Sequence, residues 1–405
     1  MTAAAPRQLS MTQVLLCGAA IVTLSMGIRH GFGLWLAPIT MERGWTRETF
    51  AFALAIQNIA WGVAGPFTGM LADRYGAYKV LVVGSLLYAA GLVLMALATS
   101  GLAFTGSAGL LLGMAQSGTT YAVVYGVISR NIAPERRSWA MGVAAAAGSF
   151  GQFLMVPVES WLIGAWGWQN ALFILGCAAL AIVPLAWGLR EPERNGAASG
   201  FQQSVSSALR EALSYPSFRW LMLGYFVCGF QVVFIGVHMP SYLKDHGLGP
   251  EVATVALALI GLFNVFGTYT AGVLGQRMAK RHILAGIYFA RSITIVIFLL
   301  VPLSPISVYV FSSVMGFLWL STVPPTNAVV AQIFGVQYMS MLGGLVFFSH
   351  QIGSFLGVWL GGLLYDRTGS YDVVWWISVA LGVMAGLANL PVRETPIARG
   401  AALPA

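Results

Sequence analysis

The chain has 405 residues, 58% of them hydrophobic and 8% charged, with a formal net charge of +8. Ordinary soluble domains carry about 25% charged residues, so this composition excludes a water-solvated globule; rich aromatics without a Gly-X-Y period exclude disordered and collagen-like chains. The basic residues sit in short segments between apolar runs, which assigns the positive charge to a membrane rather than to nucleic acid.

A spanning helix needs roughly 20 mostly apolar residues. In chain order the runs are 12–38, 47–72, 79–99, 102–130, 138–162, 168–189, 218–243, 251–276, 283–302, 306–333, 340–364 and 371–392. The predicted fold is therefore an all-α membrane protein with twelve transmembrane helices. Residues 190–217 are polar and divide two six-helix halves, 1–189 and 218–405; Ser204 to Leu213 is predicted as a short amphipathic helix on the membrane surface. Cys17, Cys177 and Cys228 lie in apolar runs with no CxxC pairing and are expected to be buried small hydrophobes. The N-terminal tail does not have the pattern of a cleavable signal peptide.

Charge sets the expected orientation. With the N-terminus cytoplasmic, 15 of the 21 lysines and arginines fall in cytoplasmic segments. Only Arg43, Arg47, Lys244 and Arg367 are periplasmic, and Arg29 and Arg291 lie inside helices. Positive loops resist translocation, so both termini and 190–217 are expected in the cytoplasm of a cell with an inner membrane. A shift of 203 residues pairs Gly44 with Gly247, Gly69 with Gly272, Leu71 with Leu274, Arg74 with Arg277 and Gly113 with Gly316. This internal repeat predicts parallel halves related by an axis along the membrane normal.

The segment after the second run reads Gly69-Met70-Leu71-Ala72-Asp73-Arg74-Tyr75-Gly76-Ala77-Tyr78-Lys79. It resembles the G-x-L-A-D-R-x-G-x-[RK]-[RK] signature of the major facilitator superfamily, with Tyr78 where a basic residue is usual. The resemblance implies twelve helices and transport by alternating access. Gly69 is expected to allow close helix contact, and Gly76 and Arg74 to complete the loop. Asp73 is expected to form a charge latch with Arg136 or Arg137 in the loop after the fourth run; a purely topology-setting role is the alternative. The second-half copy, Gly272 to Arg277, lacks the acid.

A finer resemblance, to the monocarboxylate transporter and oxalate:formate antiporter branch, rests on three stretches: Arg29 to Pro38, Gly167 to Phe173, and Phe347 to Gly353. It implies a small organic anion as substrate. His350 stands where the antiporters carry a lysine, and Asn264 stands near the position of the branch's carboxylate-holding arginine.

A charge at bilayer depth costs at least about 2.5–3.5 kcal/mol on insertion scales and so needs a reason. Arg29, His30, His238, Arg291, His350 and Glu159 are the ionisable residues inside runs that draw attention. Arg29 and His30 point about 100° apart, so only one is expected to face a cavity. Arg291 is expected to snorkel to the cytoplasmic face. Family resemblance places the first, fourth, seventh and tenth helices around the pathway, with the second, fifth, eighth and eleventh beside them. The candidate substrate residues are then Arg29, His30, Gln57, Asn58, Gln116, Tyr121, Tyr125, His238, Asn264, Asn327 and His350. Pro324-Pro325 is expected to bend or break the tenth helix. Buried cations outnumber buried acids, which favours a small mono- or dicarboxylate moved by proton symport or anion exchange. An exporter of drugs or amphipathic metabolites is the alternative, and a membrane scaffold a distant third. No cofactor, metal or nucleic acid is expected, and neither an enzymatic constellation nor a Walker sequence is present. The chain is expected to act as a monomer.

Overall fold

The computed structural model describes residues 9–191, 205–335 and 339–397, and every regular element among them is helical. Ten helical stretches are long and apolar enough to cross a membrane. One of them runs 49 residues and holds two spans, because Gly167 turns the chain back with φ 76° and ψ 161°. A further crossing, 101–131, is divided into Gly101–Phe104, a π-helical turn Thr105–Leu111, Leu112–Thr119 and Tyr121–Asn131. The total is twelve, as the apolar runs predict.

We number the crossings α1 (Met11–His30, continued by Phe32–Arg43), α2 (Arg47–Tyr75), α3 (Ala77–Leu97), α4 (101–131), α5 (134–166) and α6 (168–179, continued by Ile182–Trp187) in the first half. The second half holds α7 (Pro216–Asp245), α8 (Pro250–Arg277), α9 (Lys280–Leu300), α10 (Pro305–Leu318 and Val323–Phe334), α11 (Met339–Thr368) and α12 (Asp372–Asn389). A helix Val205–Ser214 precedes α7. The start of α1 and the end of α12 define the near face of the bundle, and the α1–α2 loop lies on the far face.

The 203-residue repeat survives as packing. Gly113 of α4 lies against the Gln57 carbonyl of α2, where an added Cβ would come within 2.5 Å. Gly316 of α10 lies against Ile260 of α8, with 2.7 Å to its Cα, and Ile260 is the 203-residue counterpart of Gln57. Gly44 and Gly247 both close helices at positive φ, 66° and 80°, a conformation glycine enters without a Cβ clash.

Three crossings are interrupted near mid-membrane. The segments of α1 meet at Gly31, α4 breaks at Thr120 (φ −112°, ψ −161°), and α10 breaks between Leu318 and Val323. Thr120 and Val323 are again 203 residues apart. The Pro324-Pro325 pair sits just after the α10 break, at the start of the new segment where a missing N–H costs nothing. Broken backbone at membrane depth needs partners other than lipid, and at the α10 break side chains supply them, as described below. Of the cysteines, Cys228 is buried, but Cys17 is half-buried and Cys177 exposed, contrary to expectation. Lipid solvates an exposed thiol, so apolar sequence context does not imply burial in protein.

Candidate functional site

In the first half, the α1 interruption gathers the polar groups. Arg29 donates through Nη2 to Asn58 Oδ1 of α2 at 2.6 Å, and its guanidinium lies 4.9 Å from the Trp61 ring centroid. Its Nε is buried without a partner. No carboxylate comes within ion-pair distance of Arg29 among the described residues. The neighbouring His30 turns away, with Nδ1 on the Met26 carbonyl at 2.7 Å. Tyr121 and Tyr125 are half-buried on α4 with ring centroids 5.7 Å apart. Gln116 is fully buried, with its side-chain amide beside the Tyr88 hydroxyl. Gln57 points elsewhere, donating to the Ala108 carbonyl.

In the second half, the cation is committed. Arg291 is fully buried and donates to the carbonyls of Leu318 and Trp319 at the α10 break, to Gln231 Oε1 and to Cys228 Sγ. It does not snorkel as expected: the freed carbonyls of a broken helix form an electronegative end that holds the guanidinium inside. Cys228 also meets Thr322 at 3.3 Å, and the counterparts Ser25 and Thr119 meet at 3.0 Å in the first half. His350 contacts Gln351 Oε1 (3.1 Å) and Ser354 Oγ (3.3 Å), and lies between the Tyr225 and Phe347 rings. His238 lies toward the far face, between Tyr371 Oη and the Val358 carbonyl. Asn264 ties α5, α8 and α10 together through Ser149 Oγ and the Leu320 N–H. Asn327 is turned back on its own helix, donating through Nδ2 to the Val323 carbonyl one turn earlier.

The two halves meet from mid-membrane outward. At mid-depth Gln351 donates to the Asn58 carbonyl, and Trp61 packs edge-on to Phe347 at 5.3 Å. At the far face Arg47 grips Asp245 with both terminal nitrogens, at 2.6 and 2.7 Å, and donates to Tyr371 Oη at 2.9 Å. Asp366 accepts from the Arg47 and Glu48 N–H groups, so an acid of the second half caps the first turn of α2. Among the described residues, the hydrogen bonds crossing between halves lie at mid-depth or toward the far face. Trp61, Gln351 and the Arg47–Asp245 pair were not singled out in the sequence; only the periplasmic assignment of Arg47 hinted at the last.

Comparison with known proteins gives this geometry its setting. Residues 15–358 match the family model described as Major Facilitator Superfamily. The chain belongs to that superfamily. Among curated relatives it is 23% identical over 393 residues to the MFS-type transporter YcxA of Bacillus subtilis, covering 90% of this chain and 91% of that one. It is 26% identical to monocarboxylate transporter 12-B of Danio rerio (78% and 73% covered) and 25% identical to monocarboxylate transporter 13 of Bos taurus (90% and 84% covered). A solved bacterial homolog of the human lysosomal transporter Spinster, in an inward-facing and unoccupied conformation, superposes with a TM-score of 0.73 at 16% identity, covering 95% and 98%. That likeness is one of fold.

The superfamily signature lies at the near end of α2. Gly76 has φ 91°, which explains a glycine at that turn. Gly69 differs from expectation: a Cβ there would meet no described atom within 4 Å, so it makes no close helix contact in this conformation. Arg74 is exposed and its guanidinium lies 5.3 Å from the Tyr75 ring. Arg136 is exposed, and the side chains of Asp73 and Arg137 lie outside the described residues.

Proposed function

We propose that this superfamily member is a secondary transporter that moves a small organic anion, a carboxylate, across the inner membrane by rocking two halves about the mid-membrane site. The halves are 1–189 and 218–405, joined by 190–217. Both termini are cytoplasmic by the charge bias of the loops, which makes the near face cytoplasmic. The conformation is then closed to the periplasm by Arg47, Asp245 and Asp366. Asp73, Arg136 and Arg137 form the cytoplasmic latch of the opposite state.

The observation that carries the reading is the difference between the two membrane arginines. Arg291 is saturated by backbone carbonyls, whereas Arg29 is half-buried, has no carboxylate partner among the described residues and keeps an unpartnered Nε. An isolated cation in a low-dielectric site attracts an anion strongly, and a guanidinium binds a carboxylate through two parallel hydrogen bonds. The monocarboxylate transporters among the relatives support the same substrate class. Tyr121, Tyr125, Asn58 and Trp61 border the site, and His350 contributes from the other half. The test is direct binding of a carboxylate panel in proteoliposomes: Arg29→Gln abolishes binding with folded protein retained, and Arg29→Lys recovers part because an ammonium lacks the fork. Full anion binding by Arg29→Gln, or a neutral or cationic substrate, rejects the site and favours an exporter.

A further inference from the structure

Side chains from α1, α2, α4, α7 and α11 form a circuit around the mid-membrane site. The Arg29 guanidinium of α1 lies 4.9 Å from the Trp61 ring of α2, and Trp61 meets Phe347 of α11 edge-on at 5.3 Å. Phe347 stacks on His350 at 5.9 Å, with 8° between the planes, and His350 lies 5.1 Å from Tyr225 of α7. Tyr225 is within electrostatic reach of Tyr125 of α4. Tyr125 and Tyr121 are 5.7 Å apart, and Tyr121 is within electrostatic reach of Arg29, where the circuit began. The path crosses between the halves from Trp61 to Phe347 and again from Tyr225 to Tyr125. Arg29 is its one permanent charge, and apart from His350 every other member is a Trp, Phe or Tyr ring.

The polar groups beside these rings are spent on the protein itself. Asn58, which accepts from Arg29, donates its own amide to the Leu54 carbonyl. His350 is engaged by Gln351 and Ser354, and Gln351 by the Asn58 carbonyl. The Tyr121 hydroxyl packs against α5, in the place a Cβ on Gly148 would take, so Tyr121 offers a ligand its ring. Trp61, Phe347, Tyr121 and Tyr125 are each half-buried. What is left for a ligand is one guanidinium and flat apolar faces. No second cation is free to help among the described residues, because Arg291 is held by the α10 carbonyls and His30 is turned to the Met26 carbonyl. The circuit is open on both sides of α4: among the described residues no ring contact joins Tyr125 to Tyr225, and no cation–π contact joins Tyr121 to Arg29.

We propose that the transported anion is an aromatic acid with a single carboxylate, which pairs with Arg29 while its ring lies between the Tyr121–Tyr125 pair of α4 and the Trp61–Phe347 pair that joins the halves. This rests on the anion reading of Arg29. Aromatic pairs in offset or edge-on geometry gain affinity beyond the area they bury, so an aromatic ring is favoured over an aliphatic group of the same size. A short hydroxy acid gains little from ring faces. One guanidinium balances one carboxylate, and a second carboxylate would be buried among rings without a partner, which is costly. An α-ammonium group is in the same position, since no acid belongs to the circuit. The site therefore selects against dicarboxylates and against aromatic amino acids.

Binding of radiolabelled benzoate to the full chain in proteoliposomes, with unlabelled competitors, tests this. Cyclohexanecarboxylate has the charge and nearly the size of benzoate without the π system, and should bind about 2- to 10-fold more weakly, the range set by aromatic pairing. Terephthalate, which adds a second carboxylate at the far end of the ring, should compete roughly 10-fold more weakly than benzoate or worse. Phenylalanine should fall behind 3-phenylpropionate, its counterpart without the ammonium, by a similar factor. Tyr125→Leu should remove most of the preference for benzoate over cyclohexanecarboxylate, and Tyr125→Phe should keep it. The ligand comparisons use the wild-type protein, so a variant that folds poorly cannot blur them. Cyclohexanecarboxylate, lactate or succinate binding through Arg29 as tightly as benzoate overturns the aromatic assignment and leaves the anion reading standing. Benzoate binding that Arg29→Gln leaves unchanged, or a wild type that binds no carboxylate at all, overturns both.

Discussion

Arg47 offers the most quantitative handle on the conformational cycle. Its guanidinium makes two charge-assisted hydrogen bonds to Asp245, one bond to Tyr371 Oη, and lies 3.8 Å from the Tyr365 ring centroid. The paired side chains keep 17% and 26% of their exposure. A fully exposed pair contributes about 0–1 kcal/mol, and a hydrogen bond to a charged group about 1.5–3 kcal/mol. Partial screening places this group near 2 kcal/mol in favour of the far-closed state. At about 1.4 kcal/mol per decade, Arg47→Gln should shift the equilibrium about 30-fold toward the far-open state. Spin labels at Thr99 and Pro302, exposed positions at the far ends of α3 and α9, report it as a longer distance distribution. Cysteines at the same two positions should react with an impermeant thiol reagent outside intact cells, which checks the orientation. Asp245→Asn should produce a similar shift, and the double variant should be clearly less than additive, as for residues in contact. An unchanged distance distribution, or strict additivity, would refute the role of this pair.

Further outcomes follow from the other charged groups. Arg291→Met should strip the Leu318 and Trp319 carbonyls of their donor and lower stability by about 3 kcal/mol or more, read as a several-degree fall in the thermal midpoint in detergent; Arg291→Lys should recover part, and a wild-type midpoint for Arg291→Met would contradict the account. Asp73→Asn should slow transport while protein remains in the membrane; an unaltered rate would leave the signature loop with topology alone.

Local composition was enough to determine the fold. Twelve apolar runs are properties of single segments, because a bilayer demands that each crossing satisfy its own backbone, and the charge bias of the loops and the 203-residue repeat are read from the sequence alone. Glycine positions carried the repeat into packing, as the pairs Gly113–Gln57 and Gly316–Ile260 show. The membrane cations were legible as residues needing a reason, since no charge sits in lipid cheaply. What each cation does was decided only by tertiary structure. Arg29 and Arg291 look alike in sequence, yet one faces Asn58 and Trp61 with an unpartnered Nε, and the other is saturated by the broken end of α10. The same holds for Gln57, Asn264 and His238, whose polar groups are engaged by neighbouring backbone or side chains. Glu159 could be seen as a buried acid, but not that its carboxyl packs against Gly31 and accepts from Trp35 of α1. These outcomes depend on which helix face meets which break across more than a hundred residues, and one-dimensional patterning does not encode that meeting.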